Sequence, residues 1–169
     1  MPGKIYGRTL IEMMCALAVV ALLLTTALPN LQSLIESNQR IQTNNQMVAT
    51  LLHARSRAVF TRQIITLCGG QHDCSGTRQW QGSLLVFIDK NANGKIDPDD
   101  EILYQSEIKE DFSWHWNRTN GYIQFEADGS TRALNGTLTL CKDSVPQNHI
   151  VISLSGRTRT EPAKADAGC

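Results

Sequence analysis

The feature that most constrains this chain is an apolar run from Leu10 to Leu28, almost at the N-terminus, that carries a single acid, Glu12. Such a run is about as long as the ~20 residues a helix needs to cross a bilayer. A carboxylate in the bilayer core costs about 2.5–3.5 kcal/mol even on a lenient insertion scale, so Glu12 calls for a compensating interaction. Lys4 gives the start the basic character of a secretory signal, but no A-x-A-type exit follows the run. A plain signal anchor explains the run and leaves Glu12 and the Gly7–Arg8 junction without a purpose.

Helical patterning continues past the run. From Asn30 to Gln63, apolar residues recur at Leu31, Leu34, Ile35, Ile41, Val48, Leu51, Leu52, Ala58 and Val59, a stripe with polar residues between. Pro29 has no N–H and is predicted to bend or loosen the helix. After Gln63 the pattern changes to short alternating runs separated by Gly, Asn or Asp. They lie at 64–68, 83–89, 101–107, 112–116, 122–127, 136–142 and 149–155. These read as antiparallel sheets with the long helix covering one face, an α+β fold.

The 169 residues allow one domain plus an N-terminal segment, and a formal charge of zero provides no global field for a polyanion. Any nucleic-acid contact therefore needs a local patch. Cys15 lies within the apolar run as a small hydrophobe. Cys68, Cys74, Cys141 and Cys169 form an even set in the polar remainder, which points to two disulfides and an oxidising compartment. Zinc held by Cys68, His72 and Cys74 is the weaker alternative, because their spacing exceeds the usual paired-cysteine interval.

The segment "GRTLIE" resembles the type IV prepilin signature. That resemblance implies a leader of residues 1–7 cut after Gly7 by prepilin peptidase. Arg8 would be the first mature residue, standing where the family usually has Phe, and would be N-methylated. Glu12 then falls at the fifth mature position, where pilins carry a glutamate that pairs with a neighbour's N-terminal amine during filament assembly. Pro29 falls where many place a helix-bending proline. The order of "RAVFTRQIITLC", "FIDKNANGKID" and "IQFEADGS…NGTLTLC" is similar to the GspH/FimT-like minor pilins. The organisation implied is a membrane and filament-core helix at 8–29, an amphipathic stem at 30–63 and a β head at 64–169. The partners implied are other major and minor pilins and the inner membrane. The head would lie in the periplasm before assembly into a surface pilus.

Two stretches carry candidate chemistry. In "DKNANGKIDPDD", Asp89, Asn91, Asn93 and Asp97 take positions 1, 3, 5 and 9 of an EF-hand-like calcium loop, with Gly94 at 6. Asp100 at position 12 is shorter than the usual Glu, and an Asn-Gly turn is the simpler account. The second is "SGRTR". Arg157 and Arg159, two residues apart after the turn-permitting Gly156, project to one side of an extended segment and offer two forks for phosphate. "GRTR" matches the GRxR motif of DNA-binding FimT proteins. By that resemblance Gly156, Arg157 and Arg159 contact double-stranded DNA during uptake in natural transformation, with Lys164 as an auxiliary.

A Cys141–Cys169 bridge would anchor this loop and leave Cys68 with Cys74, one of three connectivities. Arg55, Arg57, Arg62, Arg78, Arg118 and Arg132 could widen the basic surface. The alternatives are a structural pseudopilin of type II secretion and, from another class, a calcium-dependent adhesion module. No nucleophile has a base at recognisable spacing and no phosphate-binding glycine loop occurs, so neither an enzyme nor a cofactor is expected.

Overall fold

The computed structural model describes residues 9–164 and 167–169, with only the backbone of Thr26. It divides into two compact units, residues 1–40 and 41–169. The predicted cleavage and methylation positions, Gly7 and Arg8, lie outside the described residues.

Among the described residues there is one helix, α1 (Leu10–Thr61), with residues in both units. It starts where the Thr9 carbonyl accepts the Glu12 and Met13 amides at 3.1 and 3.3 Å. Glu12 thus sits in the first turn, where unsatisfied backbone N–H groups favour a negative charge. In the first unit the apolar side chains are exposed, including Leu10, Leu17, Leu22 and Leu28. By length and hydropathy this helix can cross a membrane. Helical geometry continues without a break through Pro29.

In the second unit, α1 buries Met47, Leu51, Ala54 and Ala58 in the core. The expected stripe was partly out of phase, since Ile41, Leu52 and Val59 are about half exposed. The stripe included Leu51 and Ala58 but missed Met47 and Ala54, which complete the inner face, and a side chain as small as Ala54 gives a weak periodic signal. The helix ends at Thr61, two residues earlier than expected, and Arg62 takes the left-handed backbone conformation, φ 55°.

Among the described residues, nine strands form two antiparallel sheets. β1 (Ile65–Gly69), β3 (Ser83–Ile88), β4 (Glu101–Glu107) and β6 (Tyr122–Phe125) make a four-stranded sheet in the order β4-β3-β1-β6. β2 (Gln79–Trp80), β5 (Phe112–Trp116), β7 (Gly136–Lys142), β8 (Val145–Ile152) and β9 (Thr158–Pro162) make a second, in that order. Alternation places Trp114, Trp116, Leu138, Leu140, Ile150 and Ile152 in the core, and Trp80 from β2 joins them. β1 and β3 are buried on both faces. Ile65, Leu67, Leu84 and Val86 face the main core, while Cys68, Leu85 and Phe87 form a second cluster with Cys74, Ile96 and Tyr122.

Six of the seven expected strands lie within a residue or two of their predicted bounds. The seventh, β8, begins four residues early because Asp143 and Ser144 turn the chain tightly with φ 50° and 63°. That tight hairpin usually advertises itself with Asn-Gly. β2 and β9 were not expected.

Candidate nucleic-acid interface

The arginine motif lies in a hairpin between β8 and β9. Ile152 pairs with Thr158 and Val151 with Arg159. At the tip, the Gly156 amide donates to the Ser153 carbonyl at 2.9 Å and the Ser153 amide to the Arg157 carbonyl at 3.0 Å. Leu154 and Ser155 do not have positive φ, whereas Gly156 has φ 72°. This is a type I turn closed by a left-handed glycine.

Glycine is required for a second reason. A Cβ on Gly156 would stand 2.0 Å from the Gly129 carbonyl oxygen and 2.9 Å from Arg55 Nε. The tip is held down from two sides. Arg55, near the end of α1, donates from Nε to the Gly129 carbonyl at 2.9 Å and from Nη2 to the Ser155 carbonyl at 3.4 Å. Thr131 donates its amide to the Leu154 carbonyl at 2.9 Å and its hydroxyl to the Ser153 carbonyl at 3.2 Å. Arg55 therefore acts as a brace for the turn. A sequence reading had only its basic character to go on.

Strand alternation decides where the arginines point. Thr158 and Thr160 pair with Ile152 and Ile150, which are buried, and Asn44 Nδ2 meets Thr160 Oγ1 at 3.5 Å. Arg157, Arg159 and Glu161 consequently share the outer face. The two arginines fall on one face by strand alternation, and a third residue shares it. Arg159 is ion-paired through Nε and Nη2 to Glu161 Oε1. Arg157 is exposed and has no carboxylate partner among the described residues.

Lys164 follows β9, and its amide donates to His149 Nε2 at 3.2 Å. Of the other arginines, Arg132 pairs with Glu126 at 3.3 Å and Arg118 binds the Asn135 carbonyl and side chain. Beside the turn, hydrogen bonds from Ser130 and, to a lesser degree, the charge of Arg55 hold the exposed Asp128 carboxyl below its ordinary range.

Both cysteine pairs are bonded, Cys68 to Cys74 and Cys141 to Cys169. The second bridge ties the tail after β9 back to β7. The turn itself is fixed by Arg55 and Thr131, so the bridge secures the segment bearing Lys164.

At the candidate calcium loop, Asp89 is fully buried. Its carboxylate accepts the Thr66 hydroxyl, the Gly94 amide and Gln124 Nε2, each at 2.8 Å, and the Asn93 amide at 3.1 Å. Asn91 and Asn93 direct their side-chain amides at Asp97 Oδ2 at 2.7 and 2.8 Å. These donors satisfy the carboxylates, and Asp89 is the hub that pins the loop to the first sheet. Among the described residues no three acidic, cysteine or histidine side chains are grouped to hold a metal.

A family model described as "Type II transport protein GspH" matches residues 43–156. The chain belongs to the GspH family. It is accordingly a minor pilin or pseudopilin of the type II/type IV class, and its apolar α1 fits a membrane-anchored member. Two crystal structures of the Pseudomonas aeruginosa (strain PAO1) type IV minor pilin FimU share its fold at 22% identity. One covers 79% of this chain and 97% of FimU with a TM-score of 0.64. The other covers 76% and 98% with a TM-score of 0.59. No curated protein matches by sequence. The family match ends at Gly156, so Arg157, Arg159 and Lys164 lie beyond it.

Proposed function

We propose that this GspH-family chain is a minor type IV pilin that holds double-stranded DNA by its phosphates during uptake, and that it performs no catalysis. One observation carries this reading. A braced, glycine-dependent turn presents Arg157 to solvent without an acidic partner among the described residues, on a chain with no net charge. Fixing the backbone beforehand reduces the entropy lost when a phosphate binds. Contacts to phosphate provide affinity without base readout, so binding is sequence-independent and salt-sensitive.

In this reading the chain inserts in the inner membrane with its head in the periplasm. It is cut after Gly7 by prepilin peptidase, methylated at Arg8 and assembled with other pilins through Glu12. The test is a duplex DNA titration of the full chain in uncharged detergent micelles, read by fluorescence anisotropy at several salt concentrations. Arg157→Gln should weaken binding and lower the log–log salt slope by about 0.9. No binding at low salt would reject the DNA role.

A second reading, a structural pseudopilin without DNA contact, draws on the Arg159–Glu161 pair, which neutralises half of the arginine motif. Equal, weak binding by wild type and Arg157→Gln would favour it.

A further inference from the structure

Three carbonyls at the tip are engaged. Ser153 O accepts the Gly156 amide, Leu154 O accepts the Thr131 amide and Ser155 O accepts Arg55 Nη2. In a trans peptide the N–H points opposite to the C=O of the same unit. The Leu154 amide therefore points away from Gly156, and the Ser155 amide away from Thr131. Both residues are exposed, and neither amide has a partner among the described residues. The Ser153 and Ser155 hydroxyls lie 3.0 Å apart beside them, and the exposed Arg157 follows Gly156.

We propose that the Ser153–Arg157 turn is a seat for one phosphate, in which the Leu154 and Ser155 amides and the Ser155 hydroxyl act with Arg157 while Glu161 withholds Arg159. The seat rests on the DNA reading above and makes its two arginines unequal. Successive outward N–H groups form an anion-binding concavity whose partial charges need no counterion. Arg157 adds a full charge and a planar fork. Glu161 lies on the same strand face as both arginines, and it leaves Arg159 with little net charge to offer. A surface pair of this kind adds little to stability, but the acid stays beside any phosphate that approaches Arg159.

Leu154 occupies the second position of a type I turn, where proline is favoured. Leu154→Pro therefore deletes the N–H and preserves the turn, while Leu154→Ala controls for the lost side chain. With the full chain in uncharged micelles and a short duplex as probe, Leu154→Pro should bind about 3- to 10-fold more weakly than Leu154→Ala. Its salt slope should be unchanged, because an amide displaces no counterion. Glu161→Gln should strengthen binding and steepen the slope by about 0.9, and adding Arg159→Gln should restore the wild-type slope.

Wild-type binding with equal affinities for the proline and alanine variants would overturn the seat and leave the DNA reading standing. A Glu161→Gln slope equal to wild type would overturn the withholding of Arg159. No binding by wild type at low salt would overturn both the seat and the DNA reading. Thermal unfolding of each variant, followed by the fluorescence of the buried Trp80, Trp114 and Trp116, checks that the head is intact.

Discussion

Replacing Gly156 by alanine tests the geometry of the turn directly. Two costs combine at this position. The left-handed backbone, φ 72°, costs a Cβ-bearing residue about 1–2 kcal/mol. In addition, the new Cβ would lie 2.0 Å from the Gly129 carbonyl oxygen, a backbone atom that Arg55 itself holds at 2.9 Å. Gly129 can retreat only by giving up that hydrogen bond, worth about 1.5–3 kcal/mol to a charged donor. The sum is about 2.5–5 kcal/mol, a large part of the stability of a domain this size.

Gly76 is the matched control. It has nearly the same φ, 68°, but nothing within 4 Å of its built Cβ, so Gly76→Ala should cost only the backbone component, about 1–2 kcal/mol. Urea unfolding followed by tryptophan fluorescence measures both, since the reporting Trp80, Trp114 and Trp116 are all in the core of the head. Losses within about 0.5 kcal/mol of each other, the size of ordinary non-additivity, would refute the claim that the glycine is required by the Gly129 and Arg55 contacts.

Three further outcomes follow from the same structure. Asp89→Ala should destabilise the head by at least about 3 kcal/mol, because it strands several buried donors at roughly 1–3 kcal/mol each; calcium should not restore the loss in a thermal melt. Cys169→Ser opens the bridge of sequence separation 28 and should lower stability by about 3.6 kcal/mol on the chain-entropy account, read from urea midpoints with and without reductant. The depressed Asp128 carboxyl should titrate below the ordinary aspartate range by NMR, and Ser130→Ala should move it upward. Because the folded value lies below the unfolded one, its contribution to stability is present above the unfolded value and is lost as pH falls through the folded one.

Sequence alone determined the parts of this protein whose information is local. The apolar run with Glu12, the period-2 strands and the even cysteine set are patterns of adjacent residues, and each reappears as α1, the main strands and two disulfides. Gly156 was also legible as a turn residue because positive φ is an intrinsic property of glycine. What sequence left undecided depends on partners far along the chain. The inner face of α1 is completed by Met47 and Ala54, which the apolar stripe did not include. β9 is too polar to announce itself and exists because β8 offers it an edge. Asp89 looks like a cation ligand until Thr66 and Gln124, 23 and 35 residues away, supply its hydrogen bonds.

The arginine motif divides in the same way. Its presence is written in four consecutive residues, but the inequality of Arg157 and Arg159 appears only when pairing with β8 puts Glu161 on their face and Arg55 braces the turn across 100 residues. Side-chain type is a property of the chain, whereas the partner that satisfies or cancels it is chosen by tertiary packing.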